Sequence, residues 1–206
     1  MIMTKGKLIV ISGFSGAGKG TVVKGLIKKY DYSLSVSATT RNPRPGEENG
    51  REYYFKSVAE FQNLIDYNGF IEWTQYVENY YGTPRKFVED ELKKGKDVIL
   101  EIEVKGAMNI LSQYPDAILI FITTKDAETL NNRLIGRGSE TSEVIAKRMH
   151  RANEEAHLMD NYEFIVINDD LQICIETVHG IIESEKCRIS NRKEFIAEIG
   201  NELKKY

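Results

Sequence analysis

Four short apolar runs punctuate the chain, at residues 8–12, 98–102, 117–123 and 164–167. Each is rich in Val and Ile, and none alternates with polar residues. That is the pattern of parallel strands covered on both faces. Between the runs, apolar positions recur at helical spacing over residues 21–30, 84–94, 104–113, 127–135, 142–159 and 171–185. Strands alternating with helices predict an α/β fold, a parallel sheet core with helices on both faces. Two stretches break the rhythm. Residues 33–85 are rich in Tyr, Gly and Pro, with short alternating pieces at 52–55 and 70–77, and predict a small β-rich insertion. Residues 136–141 join two helices, are flanked by arginines, and predict a hinged flap in a helical lid. Beyond Cys187, the residues Phe195, Ile196, Ile199 and Leu203 form one apolar helical stripe. That tail helix is expected to pack on the core. The expected division is 1–36 core, 37–85 inserted subdomain, 86–124 core, 125–156 lid, and 157–206 core with the C-terminal helix.

The chain has 206 residues, enough for one sizeable core, and its 41% hydrophobic and 29% charged residues are those of an ordinary globular protein. Its 28 basic residues against 31 acidic ones leave a net charge of -3, which argues against a general nucleic-acid coat. The balance is an average over local patches. Residues 41–51 hold three arginines against two acids, and 125–151 hold six basic residues against four acids. Cys174 and Cys187 have no partners at zinc-ligand spacing and read as reduced thiols. No apolar stretch reads as a signal peptide or membrane span, so a cytoplasmic location is expected. His150, His157 and His179 sit in helical patterns and read as structural.

Directly after the first run comes Gly13-Phe14-Ser15-Gly16-Ala17-Gly18-Lys19-Gly20-Thr21, then a helix. Strand, glycine-rich turn and helix are the context of a phosphate-binding P-loop. The glycines let successive backbone N–H groups face phosphate oxygens, and the helix N-terminus adds partial positive charge. Lys19 would reach the β- and γ-phosphates of a nucleotide. The strict pattern has Ser or Thr after the lysine, to hold magnesium, whereas here Gly20 precedes Thr21. A turn that merely closed a strand–helix unit would not need three glycines and a lysine at this spacing. No Asn-Lys-x-Asp motif of a GTPase follows. The run at 98–101 ends on Glu101, and Glu103 would share its side of a strand. Such acids can be merely solvated, yet ligands of open α/β sheets gather at the carboxyl ends of strands.

The most specific stretch is residues 35–55, with Thr39, Thr40, Arg41, Arg44, Glu47, Gly50, Tyr53 and Phe55 at fixed spacing. With the Gly-Lys-Gly-Thr loop, these positions resemble the guanylate kinase family of P-loop nucleoside monophosphate kinases. The resemblance continues in Phe70-Ile71-Glu72-Trp73, Asn79-Tyr80-Tyr81-Gly82-Thr83, Glu101-Ile102-Glu103, 133–138, 145–149 and Ile167-Asn168-Asp169. It therefore covers Lys7 to about Arg188. Phe14, Lys105 and Trp73 depart from the commonest family pattern without removing a group the chemistry needs.

The resemblance implies an ATP:GMP phosphotransferase that passes the γ-phosphoryl of ATP to GMP, and to dGMP, in purine nucleotide metabolism. It implies ATP on Gly13, Phe14, Ser15, Gly16, Ala17, Gly18, Lys19, Gly20 and Thr21, with Asn168 and Asp169 beside the adenine. Mg2+ would be carried with the ATP. It implies GMP in the inserted subdomain, on Ser37, Arg41, Arg44, Glu47, Tyr53, Glu72, Tyr81, Gly82, Thr83, Glu101 and Glu103. Ser37, Glu72 and Glu103 would stand at the base. Lys19, Arg41, Arg133, Arg137 and Arg148 are the implied catalytic cations, the last three from the lid. The chemistry agrees, because forked guanidiniums suit phosphate and a carboxylate can accept from the guanine N1–H and amine. Without the family, Arg41 and Arg44 read as surface ion-pair partners of Glu47 and Glu48, and Glu72 as a strand-edge acid. Asn168-Asp169-Asp170 likewise reads as a helix cap, and Arg151 as part of a solvated basic face. The expected partners are the two nucleotides, with no nucleic acid or membrane, and a monomer or homodimer. Three rivals are another monophosphate kinase, a non-catalytic module that binds phosphorylated proteins, and a nucleotide-sensing switch. The 39–55 signature argues against the first, and Lys19 with the lid arginines against the second. Single-turnover transfer would exclude the third.

Overall fold

A computed structural model describes residues 6–76, 78–136 and 141–206. The elements run β1 (Leu8–Gly13), α1 (Lys19–Lys29), β2 (Ser33–Leu34), β3 (Ala38–Thr39), β4 (Tyr54–Phe55), α2 (Val58–Asp66), β5 (Phe70–Tyr76) and β6 (Asn79–Pro84). They continue as α3 (Arg85–Lys93), β7 (Val98–Glu101), α4 (Val104–Gln113), β8 (Ile118–Thr123), α5 (Ala127–Gly136), α6 (Ser142–Ala156), β9 (Phe164–Ile167), α7 (Leu171–Lys186) and α8 (Lys193–Leu203).

The core sheet has the order β2-β7-β1-β8-β9, and every pair in it is parallel. The four apolar runs supply its four longer strands. On β1, Ile9 and Ile11 face the layer holding Val22, Leu26 and Val178, while Leu8 and Val10 face the layer holding Val88, Leu92 and Ile110. Burial on both faces is why the runs of β1, β7 and β8 do not alternate. The edge strand β9 departs from that expectation, because no strand lies beyond it among the described residues and Ile165 and Ile167 are 52% and 54% exposed. The chain adds strands on one side of β1 and then on the other, so the strand order reverses there while every strand stays parallel. A ligand crevice opens at such a point, beyond the strand carboxyl ends.

The insertion forms a second sheet, β4-β3-β6-β5, with antiparallel β3–β6 and β5–β6 pairs. It also contains α2, a helix that the reading of 33–85 as β-rich omits. Its start signal is present. Ser57 accepts from the Glu60 N–H at 3.2 Å and the Glu60 carboxylate accepts from the Ser57 N–H at 2.7 Å, a closed capping box. Phe61 is driven into the sheet and stacks on Phe70 with ring centroids 4.5 Å apart.

Ser33 and Leu34 form the edge strand of the core sheet, within the expected 1–36 core although the Tyr-, Gly- and Pro-rich stretch begins at 33. One other expectation needs correction. The tail helix α8 does not pack on the core. It has no buried residue, and Phe195, Ile196, Ile199 and Leu203 are 39–63% exposed. A helical stripe reveals that one face is apolar but not what covers it.

Candidate active site

The glycine loop lies between β1 and α1, at the point where the strand order reverses. Gly13 must be bare, because a Cβ there would meet the Ile122 carbonyl oxygen at 1.9 Å. Gly18 caps α1 in a left-handed conformation, φ 93°, and its missing Cβ leaves room for the Asn168 amide at 2.5 Å. The Lys19 ammonium curls over the loop, donating to the Gly13 and Phe14 carbonyls at 2.6 and 3.3 Å. Phe14 anchors the loop edge-on against Phe121, ring centroids 4.9 Å apart.

The Ala17 carbonyl accepts from Asn168 at 2.8 Å and from Arg133 at 3.2 Å, and Arg133 also donates to the Asn168 carbonyl at 2.7 Å. The buried Asn168 side chain is thus spent on bracing the loop. Asp169 is exposed and 3.6 Å from Lys125. Asp170 is the helix cap, accepting from the Ile173 N–H. Arg148, on α6, donates to the Ser15 hydroxyl. Arg137 lies outside the described residues. Gly20 and Thr21 open α1. Thr21 is exposed, and a Cβ on Gly20 would stand 3.2 Å from a Glu101 carboxylate oxygen. The acid therefore occupies the space into which a larger residue at 20 would project.

Opposite the loop, across a cavity of about 630 Å³, stands the inserted sheet. Ser37, Arg41, Arg44, Glu47, Tyr53, Glu72, Tyr81, Glu101 and Glu103 all line this cavity with Ser15, Lys19 and Arg148. The Arg41 Nη2 donates to both Glu47 carboxylate oxygens, at 2.9 and 2.8 Å, while its Nη1 donates to the Asn42 carbonyl and the guanidinium lies over the Tyr53 ring. Burial pushes the Glu47 carboxyl up, but the Arg44 N–H and the Arg41 guanidinium outweigh it and hold the group below its ordinary value. Tyr53 is pushed up to about 12, by burial first and by Glu101 second. Burial also raises Glu101, against the pull of Lys19.

Glu72 is the most distinctive group. It is 5% exposed, and Thr83 donates to its Oε1 at 2.6 Å. Among the described residues its Oε2 has no hydrogen-bond partner. Burial pushes its carboxyl up to about 7. Gly82 and Thr83 stand behind the wall; Gly82 is bare because the Phe61 and Phe70 rings lie 3.0 Å from where its Cβ would be.

Thr74, Ile102 and Arg151 also line the cavity, though the sequence singled out none of them as binding groups. Arg151 is not part of a solvated face. It pairs with Glu155 at 2.6 Å and Glu103 at 3.3 Å. The i,i+4 spacing to Glu155 was visible, but the contact with Glu103 is not local. Gly106 was missed as well. A Cβ on it would come 2.6 Å from Glu72 Oε2. Gly106→Ala is expected to displace that carboxylate and to lower kcat/KM by roughly 10²-fold for the acceptor nucleotide that the sequence resemblance implies at this wall. Steady-state kinetics with that nucleotide varied at a saturating phosphoryl donor checks this; unchanged values would remove Glu72 from the implied acceptor site.

A glycine-rich loop with its lysine stands on one wall, and arginines beside a buried carboxylate stand on the other. Fold and cavity together define a P-loop nucleotide phosphotransferase. Known proteins narrow the class. The guanylate kinase family model matches residues 5–185. A guanylate kinase of Caldanaerobacter subterraneus subsp. tengcongensis is 46% identical over 202 residues, 98% of each chain. One from Streptococcus thermophilus is 47% identical over 187 residues, 90% of each. The crystal structure of guanylate kinase from Anaplasma phagocytophilum superposes with a TM-score of 0.77 at 28% identity, over 92% of this chain and 90% of that one. The chain belongs to the guanylate kinase family.

Proposed function

We propose a division of labour between the two cavity walls for the reaction of this family, transfer of the γ-phosphoryl of ATP to GMP to give GDP and ADP. The chain carries out that transfer as a family member, an enzyme of purine nucleotide metabolism. ATP lies on residues 13–21, with Lys19 on its outer phosphates and Asn168 and Asp169 near the adenine. GMP lies in the 37–85 subdomain. Arg41, Arg44, Tyr53 and Tyr81 take its phosphate, and Glu47 must yield Arg41 as it arrives. Ser37, Glu72 and Glu103 read the guanine. The 125–156 lid swings Arg133, Arg137 and Arg148 towards the transferring group and excludes water. No general base is needed, because the acceptor oxygen is already anionic, and catalysis is positioning with charge neutralisation.

Magnesium is part of the substrate, carried by the ATP phosphates. Glu101, beside Lys19 and Gly20, has the hard oxygen donors that fit it. When bound, the ion neutralises charge on the phosphates.

One observation carries the guanine reading, the buried Glu72 with Oε1 taken by Thr83 and Oε2 unpaired. Guanine offers two donors to such a group and adenine does not. dGMP is taken as well. The same reading puts the enzyme in the cytoplasm, as a monomer or homodimer; among the described residues no helix is long and apolar enough to cross a membrane.

A panel of GMP, dGMP, AMP and UMP in a coupled ADP assay tests it. GMP is expected to exceed AMP in kcat/KM by ~10⁴-fold, the penalty for leaving a buried polar reader unmatched. Equal turnover of AMP or UMP would overturn the guanine assignment.

A further inference from the structure

We infer that Arg151 is a positioning residue for the acceptor site, one that fixes the Glu103 carboxylate and ties it to the lid helix α6. The geometry is a fork with one arm already anchored. The Arg151 Nε donates to Glu155 Oε1 at 2.6 Å, and its Nη2 donates to Glu103 Oε2 at 3.3 Å. Glu155 is 7% exposed and one turn along the same helix. Burial pushes its carboxyl up and Arg151 opposes that shift, so the pair is mutually required. Glu103 is different. It is the N-cap residue of α4, yet its side chain makes no capping hydrogen bond. Its carboxylate is therefore not spent on the helix, and faces the cavity that Ser37 and Glu72 also line. Glu101 is close enough for like-charge repulsion, which Glu103 exerts on it. A cation beside Glu103 offsets that repulsion and limits the swing of the side chain. A planar guanidinium can hold two carboxylates at once in fixed directions; an ammonium cannot.

The placement on α6 adds a consequence. Arg148 and Arg151 are three residues apart, on one side of the helix. Arg148 touches Ser15 in the phosphate loop, and Arg151 touches Glu103 at the acceptor wall. One rigid helix thus contacts both ligand sites. A base that engages Glu103 acts through Arg151 on the element that carries Arg148, so acceptor occupancy biases the lid.

The inference rests on Glu103 facing the GMP base. Its test is a double-mutant cycle in GMP and ATP kinetics, with melting temperatures recorded. Arg151→Lys keeps a cation for Glu155 and loses the second arm. It is expected to raise the GMP KM about tenfold, the worth of one charge-assisted hydrogen bond, with the ATP KM changed by less than about twofold. In a Glu103→Gln background the same substitution is expected to change the GMP KM by less than about twofold. The pair Arg151→Met with Glu155→Leu removes the buried charges together. It is expected to raise the GMP KM as Arg151→Lys does, whatever its effect on melting. An equal GMP KM rise in both backgrounds, an unchanged GMP KM, or parallel rises for GMP and ATP would each overturn the proposal. If Glu103→Gln alone leaves the GMP KM untouched, Glu103 does not read the base, and both the acceptor assignment and this proposal fall.

Discussion

Lys19→Met is expected to lower kcat by ~10³-fold while GMP still binds and the fold survives. The magnitude is that of removing one preorganised donor from a centre of developing charge. Lys19 is the cation on the phosphate wall, and its amine lies on the Gly13 and Phe14 carbonyls, where a phosphate chain would draw it off. Losing those two hydrogen bonds costs about 1 kcal/mol each, a tolerable loss for a loop also braced by Arg133, Asn168 and the Phe14 ring. There is a second cost. Burial already raises Glu101 and Lys19 is the largest influence holding it down, so the variant leaves that acid easier to protonate. In the proposed arrangement GMP contacts the opposite wall, so it should bind nearly as before. Single-turnover transfer together with equilibrium binding of GMP separates the two effects. Undiminished turnover would take Lys19 out of the chemistry.

Glu72→Gln is expected to lower kcat/KM for GMP by ~10²–10³-fold and to narrow the preference for GMP over AMP. The amide can still accept from Thr83, but its NH2 then meets the guanine donors, leaving buried groups unmatched. Adenine presents an acceptor beside a donor, which an amide can pair. The pH dependence gives an independent check. Burial lifts Glu72 from its ordinary 4.5 to about 7, whereas guanine needs the ionised form. The GMP KM of the native enzyme is therefore expected to rise about tenfold from pH 8 to pH 6. The phosphate of GMP titrates near 6 as well, and the Gln variant, which keeps only that contribution, is the control. Stability carries the opposite sign. Between pH 4.5 and 7 the folded protein retains a proton that the unfolded chain releases, so stability falls as pH rises through that window. Above it, the buried carboxylate costs about 3 kcal/mol, and Glu72→Gln should melt higher than the native protein at pH 8. An unaltered GMP/AMP ratio would sink the role of Glu72.

The core sheet was legible because β1, β7 and β8 are buried on both faces and so are almost wholly apolar, whereas the edge strand β9 is apolar in sequence although its Ile165 and Ile167 are about half exposed. The loop at 13–21 was legible because its glycines, its lysine and the flanking elements are contiguous. The α2 helix was not, although Ser57 and Glu60 mark its start, because the surrounding Tyr, Gly and Pro overshadowed its four-residue spacing of Phe61 and Ile65. Arg151 was passed over among interleaved charges. Its spacing to Glu155 is local, but Glu103 lies 48 residues away in sequence.

By itself, then, the sequence determined the alternation of strand and helix, the phosphate cradle and the acceptor signature. Each of these depends on neighbours along the chain or on a fixed spacing. Only the tertiary structure decided which carboxyl burial pushes up, which arginine is already engaged, and which glycine must be bare. The space occupied by the second oxygen of Glu72 is there because Gly106, on another element, has no Cβ to fill it. The α8 stripe shows the converse: its apolar face is plain in the sequence, yet in the fold no core residue covers it. Periodicity reports a face's polarity, whereas burial depends on what distant segments bring against it.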